Sequence, residues 1–267
     1  MIRFSRPLLA GLLVVLLLPA CSSSRLRYDS PAEAYEKGMA DFEAKRYTRA
    51  AEYFQAVLSF GRAGEYADDA QLYLARSYNE SKQYILAASE YTRFSEIYRS
   101  DPRVADAEFE RAQAYVQQSP GYQLDQTQTQ AAVTSLQLFV NRFPEHEKRP
   151  EAEQTIAELR AKMARKAYES GTLYERRELY EAAAITYERA FQDFPDADYA
   201  DESLLGAIRM YVTYADQSVS VRQAERYRKA IDLYERFVDI FPTSPRLREA
   251  EDLYTRAIDG LPATASN

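Results

Sequence analysis

Residues 180–195, YEAAAITYERAFQDFP, carry the clearest hydrophobic pattern in the chain. Tyr180 is followed at steps of three, seven, ten and fourteen by Ala183, Tyr187, Ala190 and Phe194. That spacing puts all five on one side of an α-helix. Pro195 follows at once and ends the helix, because it has no N–H to donate and its ring clashes with the preceding turn.

The pattern recurs. Tyr227, Ala230, Tyr234, Phe237, Phe241 and Pro242 match every step, and Tyr84, Ala87, Tyr91, Phe94 and Tyr98 match all but the proline, which slips to Pro102. Tyr47, Ala50, Phe54 and Val57 match the first four steps, and Ala132, Leu136, Phe139, Phe143 and Pro144 match with Thr129 in the lead place. The leads at 47, 84, 129, 180 and 227 define five copies spaced by 37 to 51 residues. Each copy has a preceding helix, with a small residue nine before the lead at Gly38, Ala75 and Gly171. Gly or Ala at that place lets two backbones approach while aromatics fill the space around the crossing. Paired helices at such a period make a solenoid.

Gly38, Tyr47, Ala50 and Phe54, and again Gly171, Tyr180, Ala183, Tyr187, Ala190 and Pro195, resemble the tetratricopeptide repeat. The expected fold is therefore all-α, a tetratricopeptide solenoid of five irregular helix pairs plus a C-terminal capping helix over 246–258. The first fold residues, Ser30-Pro31-Ala32-Glu33, read as an N-cap, a first-turn proline and a capping box. In copy three, Ser119-Pro120-Gly121 is a turn, and 122–130 is either a tolerated insertion or a partner-contact loop with Asp125 or Thr127 capping the next helix. Copy four opens with a long helix from Pro150 to about Arg176, interrupted at Gly171. Copy five contains an extended linker over 216–223.

The chain begins with Arg3 and Arg6 and an apolar run from Leu8 to Leu18 that is short for a membrane span. Leu18-Pro19-Ala20-Cys21 resembles a bacterial lipoprotein signal. The expectation is a signal peptide over 1–20, lipidation of Cys21 (palmitate among the acyl chains), and a tether over 21–29. An ordinary signal peptide with an incidental cysteine is the alternative. Acyl chains contribute ~0.8 kcal/mol per buried CH₂, so several anchor a protein firmly. By resemblance to lipoprotein sorting, Ser22 after the cysteine is compatible with the outer membrane.

Composition narrows function mostly by exclusion. A net charge of −7 with no basic patch or nucleic-acid motif argues against nucleic acid as a partner. A single cysteine permits no internal disulfide. The one histidine, His146, lies between helices, with none of the spaced ligands a zinc site needs. Asp68-Asp69 and Asp201-Glu202 sit at helix starts, where acidic groups favour the dipole. No catalytic residue, metal site or cofactor is expected. What a solenoid offers is surface. By repeat register the groove-facing positions are Tyr35, Met39 and Phe42 in copy one and Leu72, Arg76 and Asn79 in copy two. They suit an extended peptide, with Phe42 and Leu72 equally suited to core packing.

The lipobox, the short tether and five irregular copies, with 124–144 and 164–195 as the most telling segments, resemble the BamD family of the β-barrel assembly machinery. The Asp-Gln-Thr insertion and the Tyr174/Arg177 pair before the fourth second helix carry the likeness. The resemblance implies a non-enzymatic lipoprotein on the periplasmic face of the outer membrane. Its partners would be a BamA-like barrel protein, bound through periplasmic domains, unfolded outer-membrane proteins, the bilayer through the acyl anchor, and other assembly lipoproteins. Copies one to three (30–149) would be the substrate side, with Tyr35, Met39, Arg76 and Asn79 as candidates. Copies four and five with the cap (150–262) would be the partner side, with Arg177, Arg209 and Tyr214; 263–267 would be a frayed tail. Two rivals remain: a lipoprotein scaffold for peptidoglycan or division machinery, and a glycan-capture lipoprotein.

Overall fold

A computed structural model describes residues 26–261. The expected signal peptide over 1–20, Cys21 and the tail expected over 263–267 lie outside the described residues. Eleven helices, and no strand, are found among the described residues. Copy one is α1 (Pro31–Glu43) and α2 (Tyr47–Ser59), copy two α3 (Ala67–Glu80) and α4 (Tyr84–Ile97), and copy three α5 (Val104–Val116) and α6 (Thr127–Arg142). Copy four is α7 (Arg149–Arg176) and α8 (Tyr180–Asp193), copy five α9 (Ala200–Asp216) and α10 (Ser220–Ile240), and α11 (Leu247–Asp259) closes the array. Each helix packs on its neighbours in chain order, and α9 also touches α7 and α11. The core is accordingly a chain of four clusters, one passing into the next.

Three of the second helices begin on the lead tyrosine, at Tyr47, Tyr84 and Tyr180, and the preceding turn explains why. Lys45, Lys82 and Glu178, each two residues before the lead, adopt positive φ of 57–61°. The following N–H then reaches five residues back, Arg46 to the Asp41 carbonyl, Gln83 to Tyr78 and Leu179 to Tyr174. This left-handed cap ends the first helix and launches the second at a fixed position. Copies three and five lack that turn, and their second helices start earlier than the lead, at Thr127 and Ser220. The far ends are set by proline. Phe143, Phe194 and Phe241 leave helical geometry because a residue before proline is pushed out of the α region.

Three expectations need correction. The helix of copy four is not interrupted at Gly171; α7 runs unbroken through it for 28 residues. The glycine is there for space: a Cβ at 171 would lie 2.5 Å from Tyr187 Cδ1. The linker expected over 216–223 is largely helix, since only 217–219 separate α9 from α10. At the start of the fold, Ser30 Oγ accepts the Glu33 N–H at 3.2 Å, and the Glu33 carboxylate takes the Asp29 N–H rather than that of Ser30. Leu72, one of the groove positions, is fully buried in the second cluster and is a core residue.

Candidate protein-binding surfaces

First helices of successive copies are stitched together by polar contacts about one repeat apart. Arg76 on α3 forks onto Glu110 of α5, with Nε to Oε2 at 2.9 Å and Nη2 to Oε1 at 2.6 Å. Arg209 on α9 reaches Glu249 of α11 at 2.7 Å and Glu175 of α7 at 3.5 Å. Helix starts are stitched too. Arg103 binds Asp68, Asp69 and Asp101 together, and Arg246 binds Asp201 and Glu202. The paired carboxylates at helix starts thus do more than favour the dipole: each pair grips an arginine from the next turn of the array.

The N-terminal candidates lie on this frame. Tyr35 is half-buried, stacked on Tyr66 with ring centroids 5.2 Å apart and tilted against Phe54. Burial, and then the nearby Asp69 carboxylate, push its hydroxyl up to about 12. Met39 and Phe42 are half-buried against the same cluster, and Phe42 meets Tyr47 and Tyr73 edge-on. Arg76 also lies over Tyr73, 5.5 Å from the ring centroid. Asn79 is half-buried with its Oδ1 enclosed and without a partner. Tyr35 and Met39 share α1, Arg76 and Asn79 share α3, and each pair is four or three residues apart, on one helical face.

The C-terminal candidates are arranged differently. Arg177 is exposed just past the end of α7, beside exposed Leu173, Tyr174 and Leu179. Arg209 is tied to Glu175, two residues before Arg177, so the end of α7 and the middle of α9 form one surface. Tyr214 donates its hydroxyl to Glu181 at 2.7 Å, and the Arg226 guanidinium lies 3.5 Å from its ring centroid. Leu179, Tyr214 and Arg226 line a cavity of about 390 Å³. Val219 and Val221, at the turn into α10, are 72% and 87% exposed. Exposed aliphatic side chains gathered at one end of a repeat array mark a contact surface better than single ones do. These two valines were missed in the sequence because they read as part of a linker; their signal was two apolar residues in an otherwise polar stretch.

The loop of copy three is fastened down. Lys162 and Lys166 of α7 donate to Ser119 Oγ at 2.8 Å and to the Leu124 carbonyl at 2.5 Å, and Arg165 lies 4.1 Å from the Tyr122 ring centroid. Asp125 accepts the Thr127 N–H at 2.9 Å. His146 is half-buried, with its ring edge-on to Phe139, its Nε2 3.4 Å from Asp106, and its Nδ1 accepting the Lys148 N–H. Both ring nitrogens are engaged structurally, and no group of three or more potential metal ligands occurs among the described residues.

Residues 27–229 match the family model described as YfiO, outer membrane lipoprotein. Among solved structures, the chain is similar to a TPR repeat protein of Bacteroides fragilis (14% identity, 87% of this chain and 99% of that one, TM-score 0.45). It is also similar to the TPR2AB domain of yeast Sti1 (15% identity, 85% and 98%, TM-score 0.39). No described helix is long and apolar enough to cross a membrane.

Proposed function

We propose that this chain, which belongs to the YfiO family of outer membrane lipoproteins, is a non-enzymatic subunit of the β-barrel assembly machinery. In this reading copies four and five hold a BamA-like barrel protein by its periplasmic domains, and copies one to three receive unfolded outer-membrane proteins. Acylation at Cys21 keeps the solenoid on the periplasmic face of the outer membrane, and the covalent lipid is its only prosthetic group.

The observation that carries the partner side is the exposed end of copies four and five. Leu179, Val219 and Val221 stand out from a frame that α7, α9 and α11 make rigid through Glu175, Arg209 and Glu249. A rigid apolar edge with the exposed Arg177 beside it suits a folded partner, whose docking then costs little ordering entropy. On the substrate side, Tyr35, Met39, Arg76 and Asn79 offer aromatic, thioether and amide groups along α1 and α3. These are the contacts an extended peptide uses. Arg76 would engage such a peptide by sharing or opening its pair with Glu110.

Photo-crosslinking in intact cells tests this division. A crosslinking residue at Val221 or Leu179 should capture a large β-barrel protein with repeated periplasmic domains, and one at Met39 should capture nascent outer-membrane proteins. Capture of peptidoglycan or division proteins at Val221 instead would replace the assembly reading with a scaffold for another envelope process.

A further inference from the structure

A cavity of about 360 Å³ lies between α4, α5 and the last turn of α6, apart from both surfaces described above. Arg99, Arg111 and Arg142 line it together with Glu96 and Glu108, so three cationic groups face two carboxylates and the lining carries one net positive charge. Glu108 is 6% exposed and holds Arg111 at 2.6 Å and Arg142 at 3.5 Å. Arg99 donates through Nε to the Glu96 carbonyl at 3.0 Å.

These bonds leave donors over. Arg111 Nε is enclosed and bonds to nothing, and the hydroxyl of Ser95, itself 6% exposed, has no partner either. Serine in a helix usually returns its hydroxyl to the carbonyl four residues back, as Thr92 next to it does to Ala88. Ser95 does not, and it is one of the residues that line the cavity. Buried donors without acceptors are costly, and native proteins keep few of them. Here a neutral carbonyl oxygen would satisfy the hydrogen bonds but not the charge.

We propose that this cavity is a binding site for a phosphoryl group. A phosphoryl oxyanion presents several acceptor oxygens to a planar guanidinium fork. Arg111 Nε and the Ser95 hydroxyl would donate to it from below, and Arg142 would close over it from the rim, where its side chain is 57% exposed. Glu96 and Glu108 are the like charges that an incoming anion meets, and they keep affinity modest. The phosphoryl group has two sources, free inorganic phosphate and the headgroup of a phospholipid. The second is accommodated because an adjoining cavity of about 540 Å³, sharing Thr92 and Glu96, continues past Ile85 and Tyr115 and offers apolar contact beyond the headgroup.

Isothermal titration calorimetry of the full chain in detergent tests this, with sodium phosphate as titrant and sodium chloride at matched ionic strength as control. A saturable one-site heat with phosphate and none with chloride is expected. Arg111→Lys keeps a cation beside Glu108 but lacks the Nε–H, and should weaken binding about tenfold. Ser95→Ala and Arg142→Gln, neither of which strips Glu108 of its nearest arginine, should each weaken it severalfold. A short-chain soluble phosphatidic acid that binds tighter than phosphate, with the gain lost in Ile85→Ser, identifies the lipid as the source; equal affinity identifies the phosphoryl group alone. The proposal is overturned if chloride produces the same heat, or if all three variants bind phosphate like the natural protein. None of these outcomes depends on whether the protein binds a barrel partner.

Discussion

Replacing Gly171 by alanine should destabilise the solenoid, although the same change in an ordinary exposed helix interior stabilises it. Intrinsic propensity favours alanine over glycine by about 1 kcal/mol. Against this, the new methyl would meet three atoms of the Tyr187 ring at 2.5, 2.6 and 2.8 Å, well inside van der Waals contact. The ring cannot retreat. It also lies against Gly206, where a Cβ would be 3.0 Å from it, and its hydroxyl is pinned to Glu175 at 2.6 Å and Thr172 at 3.0 Å. Overpacking a core site that cannot relax costs about 1–3 kcal/mol, so the upper end applies and the net loss should be about 1–2 kcal/mol. Urea denaturation followed by the helical circular dichroism signal reads this directly as a lower midpoint. Gly64→Ala is the control, since its nearest neighbour would be a carbonyl oxygen at 3.7 Å, and it should leave the midpoint unchanged or raise it. In a double-mutant cycle, Tyr187→Leu should recover part of the loss caused by Gly171→Ala, with a coupling of roughly 1 kcal/mol. A Gly171→Ala midpoint equal to or above that of the natural chain would refute the reasoning.

Further predictions rest on the polar frame and on the exposed edge. Arg103→Ala leaves Asp68, Asp69 and Asp101 facing one another, and should lower stability by roughly 1–2 kcal/mol, with part of the loss recovered in high salt; an unchanged midpoint would count against the stitching of copies two and three. Asp41 is held below the usual carboxylate range, first by its hydrogen bonds from Arg49 and then by those from Arg46. Its contribution is therefore complete above the unfolded-state value near 4 and is lost as pH falls through the lower folded value, so Asp41→Asn should flatten the acid side of the stability profile. Tyr35 and Tyr227 are pushed up to about 12, mainly by burial; their contribution to stability is complete below the ordinary tyrosine value near 10 and is lost as pH climbs through 12, which ultraviolet titration alongside circular dichroism would detect as coupled ionisation and unfolding. Arg177→Glu should weaken capture of the barrel partner without moving the melting temperature. Arg209→Glu is a poorer probe, because it places a third carboxylate beside Glu175 and Glu249 and should destabilise the array itself.

The helix pairs were legible because their signals are local. An aromatic or apolar residue at every third or fourth position and a proline after Phe143, Phe194 and Phe241 place the second helices within a residue or two at those ends. The close approach of paired helices was legible in Gly38 and Gly171. What escaped depends on residues that break the usual rule or on partners far along the chain. The left-handed turns use Lys45, Lys82 and Glu178 where glycine or asparagine would have signalled them, so the early start of α10, where that turn is absent, left no mark, whereas Asp125 and Thr127 did mark the early start of α6. Gly171 read as an interruption because glycine weakens a helix by propensity, whereas packing against Tyr187 decides the matter. The ion pairs between copies join residues 34 to 45 apart. That spacing is readable only after the repeat register is known, and it changes the reading of Arg76, Arg209 and the paired acids from free surface groups to parts of the frame.

The most direct test of the assembly role is an affinity pull-down of the lipidated protein from detergent-solubilised envelopes, with partners identified by mass spectrometry. The account predicts a near-stoichiometric β-barrel protein with repeated periplasmic domains, depleted when Arg177→Glu is combined with Val221→Asp. Recovery of peptidoglycan or division proteins without any such barrel, or undiminished recovery of the barrel by the double variant, would contradict it.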